Sequence, residues 1–274
     1  MWNSVSHTVV KLVSENRGAK SIHRALDLLG ILREHSSGLT LTELAQQLSL
    51  PKSTVHRILN TLLEHQFVRE MPQQGRYALG YEVLRLSQAC LESLDLVREA
   101  HPKLEALNSD LDETVLLGIL DDSRHQVIYL DKLDSSQTVR LVSHIGERAP
   151  VHCTALGKAA LSCLESAELM PALADYEFEQ FTERTIVDME TLLKELAEVR
   201  ERGYAVDFQE YRPQVTCVAA PIRNHAGQPL AVVSVSAPSG RLGPQKQEEV
   251  GRRVVEVVEE ISELLAHMPS QEVR

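Results

Sequence analysis

Six polar side chains crowd one short stretch of the chain: Lys52, Ser53, Thr54, His56, Arg57 and Asn60. Between them Val55, Ile58, Leu59 and Leu62 recur at three- and four-residue spacing. A helix within Pro51–Gln66 therefore buries the apolar set and turns the polar set outward. The chemistry that suits such a face is nucleic-acid contact. Lys, Ser and Thr in a first helical turn, beside free backbone N–H groups and the positive end of the helix dipole, suit phosphate. Arg57 is long enough to reach guanine O6 and N7, and His56 and Asn60 are shorter polar readers. A second set, His152, Cys153, Asp207 and Cys217, holds the residue types of a Cys-His-Asp nucleophilic site or a metal site. His152 and Cys153 are adjacent, so on a strand they face opposite sides, which weighs against a site needing both. None of G-x-S-x-G, H-E-x-x-H, a P-loop or G-x-G-x-x-G occurs. No catalysis, cofactor or metal is expected, with a metal held by Asp207 and His152 or Cys217 as the minor alternative.

Spacing alone leaves two readings of the polar helix open, a groove reader and a solvated face on an interaction module. The elements around it define the module that carries it, which can serve either role. Ile22, Ala25, Leu26, Leu29 and Leu32 predict a helix from Ser21 to Ser37-Gly38. Thr40 with Glu43 three residues on predicts a capping box opening a second helix, with Leu41, Leu44, Ala45 and Leu48 inward. Pro51 suits the first turn of the third. The runs Phe67–Met71 and Arg76–Leu79 flank Pro72-Gln73-Gln74-Gly75 as a hairpin. Three helices and a hairpin make a winged helix-turn-helix over residues 17–80, after a flexible lead-in at 1–16. Arg76, Gln73 or Gln74 on the wing, and Arg17 or Lys20 before the first helix, are further candidates for DNA contact.

Charge is partitioned to match. The chain carries −11 overall, but residues 1–85 hold 10 Lys+Arg against 7 Asp+Glu, or +3, leaving −14 on the remainder. With a Debye length of about 8 Å at physiological salt, a distant acidic body is felt weakly at a phosphate contact. The four cysteines are scattered without a C-x-x-C pair, so a reduced, cytoplasmic chain is expected. No apolar run is long enough to span a membrane, and the short Val9–Val13 run, broken by Lys11, does not read as a signal peptide.

Tyr81–Ala100 reads as a long amphipathic linker helix with Leu84, Leu91, Leu94 and Val97, and Pro102 as the start of a further helix reaching Leu111. Strands are expected at Thr114–Leu120, Val127–Leu133, Thr138–Ser143, Tyr204–Gln209, Val215–Arg223 and Leu230–Ala237. Helices are expected at Thr154–Leu164, Asp188–Arg202 and Gln245–Leu265. The domains expected are thus 17–80, a linker at 81–100, and 101–274 as an α+β domain with a mostly antiparallel sheet.

Three separated motifs carry a resemblance. They are Leu39–Ala45 with Leu50–Leu59; Ile145–Lys158; and Gly203–Asp207 with Cys217–Ile222. In this order they resemble the IclR family of bacterial transcriptional regulators over about residues 20–265. The resemblance implies a GAF/profilin-like effector-binding C-terminal domain and a repressor binding a pseudo-palindromic double-stranded operator as a homodimer, dimers pairing into homotetramers. It also implies a small-molecule effector held by Leu141, Ala155, Leu156, Asp207, Val215, Cys217, Ser234 and Ser236. The chemistry fits a small carboxylate, sugar acid or aromatic acid: Ala155 and Leu156 open a helix, and Ser234 and Ser236, two apart on a strand, share a face. The chain departs from the family where Gln209 replaces an acidic residue and Gln214 a glycine. Losing that glycine is expected to remove access to positive φ and alter the pocket rim, where Arg212 is placed to pair with a ligand carboxylate.

Overall fold

The computed structural model describes residues 20–71, 75–92, 95–121 and 123–266. The lead-in 1–16, Arg17, Gln73 and Gln74 lie outside the described residues. The chain divides into two compact units between Cys90 and Leu91.

The first unit runs α1 (Lys20–Arg33), β1 (Leu39–Thr40), α2 (Leu41–Gln47), α3 (Lys52–Glu64), β2 (Val68–Met71) and β3 (Arg76–Leu79), then enters α4 (Glu82–Glu92). Thr40 caps α2 through the expected box: its hydroxyl accepts from the Glu43 N–H at 3.3 Å, and its own N–H donates to Glu43 at 2.7 Å. Pro51 stands just before α3 as its cap rather than inside it. The core joins Leu28, Leu32, Leu44, Val55, Leu59 and Val68. The α1 stripe differs from expectation. Leu28 and Leu32 are buried and Ala25 and Leu29 partly so, while Ile22 and Leu26 are 61% and 59% exposed. Periodicity shows which face of a helix is apolar, not how far its neighbours reach along it. The two-residue β1, too short to leave a periodic signal, joins β3 through Leu39↔Tyr77, giving sheet order β1-β3-β2.

Within the expected helix over Tyr81–Ala100, residues 93–94 lie outside the described residues. Next after α4 comes α5 (Asp95–Leu111), with an acidic residue in its first turn and Pro102 inside it rather than at its start. Proline costs the helix one N–H donor at that point without ending it.

The second unit continues with β4 (Thr114–Leu120), β5 (Gln126–Leu133), β6 (Arg148–Pro150), α6 (Ala155–Leu161), α7 (Ser166–Ala172), α8 (Met189–Arg202), β7 (Ala205–Phe208), β8 (Val215–Arg223), β9 (Pro229–Pro238) and α9 (Pro244–Ala266). All neighbours are antiparallel in the order β6-β5-β4-β9-β8-β7. Alternation sends Val115, Leu117, Val233 and Val235 into one core with Leu104 of α5 and Val254 of α9. It sends Leu116, Ala219 and Val232 into the other, with Leu156 of α6 and Leu196 of α8.

Thr138–Ser143 is not a strand. The edge of β5 is already occupied: Gln126–Ile128 pair with β6, and Tyr129 exchanges backbone bonds with Gly146 and Glu147. Side chains hold the displaced segment instead. Lys132 donates to the Ser143 carbonyl at 2.8 Å, and Arg241 to that of Val139 at 2.9 Å.

Candidate nucleic-acid interface and effector cavity

On α3 the division of labour is as its periodicity predicts. Val55, Ile58, Leu59 and Leu62 are buried; Lys52, Ser53, His56, Arg57 and Asn60 are exposed and Thr54 is half-buried. Asn60 and His56 approach within 3.4 Å one turn apart, forming a polar pair on the outer face. Arg76 has a different place. It is half-buried, donates to the Gly38 carbonyl at 2.7 Å and lies 3.6 Å from Glu43. Its guanidinium ties β3 to the capped start of α2, a role within the fold that its position in the wing did not reveal.

In the second unit, Leu141, Ala155, Leu156, Asp207, Val215, Cys217, Ser234 and Ser236 all line one cavity of about 30 Å³. Strand register brings them together. Asp207 pairs with Cys217, Cys217 with Ser236, and Ser234 with Leu116, so one face of β4, β7, β8 and β9 forms the floor. Ala155 and Leu156 enter from the first turn of α6, whose cap Thr154 accepts from the Gly157 N–H at 3.1 Å. That turn packs closely on the residues leading into it because Gly157 has no side chain: a Cβ there would stand 2.3 Å from the Val151 Cα. The wall also contains Leu116, Tyr129, Ser143, Thr154, Tyr211 and Arg212. Of these only Arg212 was singled out in the sequence as a pocket residue; Leu116 and Tyr129 depend on pairing between distant strands, Ser143 and Tyr211 come from loops, and Thr154 is the cap beside Ala155.

The polar groups are not balanced among themselves. The hydroxyls of Ser143 and Ser234 are buried without a hydrogen-bond partner among the described residues. Such orphans are uncommon in folded proteins and ask for a partner from outside the chain. Burial, helped by the Glu210 charge, pushes the Asp207 carboxyl up to about 7, against the pull of the Glu210 N–H and Lys158. Burial raises the Cys217 thiol and the Tyr129 hydroxyl as well.

The rim keeps the positive φ that the loss of glycine was expected to forbid. Gln209 and Gln214 sit at φ 62° and 61°. The Gln209 side chain accepts from the Gln214 N–H at 3.1 Å, and the Gln214 carbonyl accepts from Ser239 at 2.8 Å. These bonds offset the roughly 1–2 kcal/mol that a left-handed L-residue costs.

His152 and Cys153 are both buried in the turn before α6 rather than on a strand. His152 Nε2–H donates to the Glu179 carbonyl at 3.0 Å, and Nδ1 accepts from the Tyr176 hydroxyl at 2.6 Å. Burial favours the neutral ring. Both nitrogens are thus engaged within the fold. Among the described residues no three His, Cys, Asp or Glu side chains gather as a metal site, and no helix is long and apolar enough to cross a membrane.

A winged helix with a polar outer face, followed on the same chain by an α+β unit enclosing a cavity, defines a helix-turn-helix regulator with its sensor attached. Comparison with known proteins gives the family. The model of the IclR helix-turn-helix domain matches residues 21–72, and that of the bacterial transcriptional regulator IclR C-terminal region matches residues 88–263. The chain is 35% identical over 243 residues to the acetate operon repressor of Salmonella typhimurium, covering 89% of each chain. It is 34% identical to the transcriptional regulator XynR of Escherichia coli, covering 81% of this chain and 88% of that one. The IclR structure from Thermotoga maritima superposes with a TM-score of 0.78 at 29% identity, covering 90% and 99%. The chain belongs to the IclR family of transcriptional regulators, and it is a DNA-binding regulator with a C-terminal effector-binding domain.

Proposed function

We propose that the protein is a repressor that binds a pseudo-palindromic operator as a homodimer or homotetramer and is released or retained by a small carboxylate, sugar acid or aromatic acid bound in the cavity. It acts in the cytoplasm and performs no catalysis. Lys52, Ser53 and Thr54 meet phosphate, and His56, Arg57 and Asn60 reach base edges in the major groove. Arg76 is left out of this set because its guanidinium is engaged within the fold. The observation that carries the sensor half is the cavity itself, with the unpartnered hydroxyls of Ser143 and Ser234 in its wall. Repression is supported by relatives named as repressors. Self-association is supported by apolar side chains left in solvent within the first unit: Ile22 and Leu26 on α1, and Tyr81, Leu84 and Leu86 at α4.

The test is a thermal-shift screen of small carboxylates, sugar acids and aromatic acids against the parent and Ser234→Ala. A compound that raises the parent midpoint and not that of Ser234→Ala supports the reading. A hit that stabilises both equally places the effector elsewhere.

A further inference from the structure

Arg212 stands in the loop between β7 and β8 and lines the cavity. One nitrogen donates to Glu147 Oε1 at 2.9 Å and the other to the Val142 carbonyl at 3.3 Å. Both acceptors belong to the segment 134–147, which forms no strand, is tied to β5 only at its end through Gly146 and Glu147, and contributes Leu141 and Ser143 to the cavity wall. Glu147 in turn accepts from the His144 N–H at 3.0 Å, so the same carboxylate ties the segment to itself and to Arg212. Asp112 holds the start of the segment, accepting from Ser136 and Gln137 through its carboxylate and from Ser135 through its carbonyl, while Lys132 holds Ser143 and Arg241 holds Val139 further along.

Two features make this contact exchangeable. A guanidinium binds a carboxylate best through two parallel N–H···O bonds, and Glu147 takes only one of the two nitrogens here, leaving the other to a neutral carbonyl. The cavity of about 30 Å³ has room for one or two waters at most. An organic acid therefore enters only if a wall yields, and residues 138–143, which lie outside the sheet and include Leu141 and Ser143, are such a wall.

We infer that Arg212 is the residue that selects a carboxylate in this cavity, and that it does so by exchanging Glu147 for the ligand, which loosens segment 134–147. This rests on the effector reading above. The anion replaces Glu147 on the fork of Arg212, and a hydroxyl on the same ligand meets Ser143 or Ser234. Glu147 acts as an internal competitor that keeps the empty site shut.

Glycolate, the smallest acid that offers both groups, and its neutral isostere glycolamide are the probes, followed by calorimetric titration of the full-length protein. The expected order is preference for glycolate in the parent, loss of about tenfold or more with Arg212→Gln, an intermediate loss with Arg212→Lys, and a gain with Glu147→Gln. Arg212→Gln should also bind the acid and the amide alike. Hydrogen exchange across residues 134–147 should quicken in the parent with glycolate, and in Glu147→Gln without it. Equal glycolate affinity in the parent and Arg212→Gln overturns the inference, as does weaker binding in Glu147→Gln. Failure of glycolate to bind the parent at millimolar concentration also overturns it. That failure leaves the broader effector reading intact, because a thermal-shift hit abolished by Ser234→Ala stands independently of Arg212.

Discussion

Lys158 of α6 places its ammonium 2.5 Å from Glu210 Oε1, in the loop that carries Tyr211 and Arg212 into the cavity wall. Lys158 is 1% exposed. Glu195 of α8 stands 3.6 Å from the same ammonium and bonds Arg202 at 2.7 Å. Glu210 also donates its N–H to Asp207 at 2.7 Å, while its second carboxylate oxygen has no partner among the described residues. One buried cation thus anchors the rim of the cavity to the helices beneath it.

Breaking a buried ion pair from one side leaves an uncompensated charge. Lys158→Met should destabilise the second unit by about 3–5 kcal/mol, and the double variant Lys158→Met with Glu210→Gln should recover part of the loss. Denaturant titration checks both. A single-variant loss under about 1 kcal/mol would show that solvent reaches the pair, contrary to its burial.

Asp207 gives the stability a pH signature. Burial and the Glu210 charge hold its folded pKa at about 7, whereas an unfolded aspartate ionises near about 3.9. Between these values the folded chain keeps a proton that the unfolded chain has released. Through this group, stability falls as pH rises toward 7 and is constant above it. Asp207→Asn removes the titration. The midpoint of the variant relative to the parent should therefore rise between about pH 5 and about pH 8, measured by thermal melts. An unchanged difference across that range contradicts the raised pKa.

Gly157 is a packing requirement. A Cβ there meets the Val151 backbone at 2.3 Å, and the atoms it meets are not the far end of a flexible side chain. Gly157→Ala should cost about 1–3 kcal/mol through overpacking, and it should shift the amide resonances of Ala155 and Leu156 as α6 backs away from the turn at Val151. A neutral melt would show that α6 has room to move.

On the DNA side, Arg57→Ala should weaken binding to a selected operator by about 1–3 kcal/mol and relax preference at one base pair. Lys52→Ala should weaken all sequences alike and lower the salt slope by about 1. Anisotropy titrations at several salt concentrations separate the two. Equal losses on specific and random duplex for Arg57→Ala would reassign it to phosphate.

The first unit was largely legible because its signals are local. The Thr40–Glu43 box spans a single turn, and the alternation of Val55, Ile58, Leu59 and Leu62 with polar neighbours defines the outer face of α3 without reference to any other segment. In the cavity, Ser234 and Ser236 share a face by strand periodicity. Tyr129 and Tyr211 reach the same space only through the order β5-β4-β9-β8-β7, which no local pattern encodes. The same limit hid the partner of Lys158, 52 residues away in the chain. Thr138–Ser143 has a composition suited to a strand, but the edge it needed was taken by residues 146–150. At Gln214 the rule that positive φ wants glycine was overridden by one side-chain bond from Gln209.

The central claim is that the cavity controls the α3 face. The most direct measurement is the affinity of the full-length protein for its selected operator, with and without a compound found by thermal shift, in the parent and in Ser234→Ala. The account predicts a change of about 5–150-fold in the parent, absent in Ser234→Ala, with the two proteins binding DNA equally when no compound is present. A ligand response of the same size in Ser234→Ala, or none in the parent despite ligand binding, would contradict it.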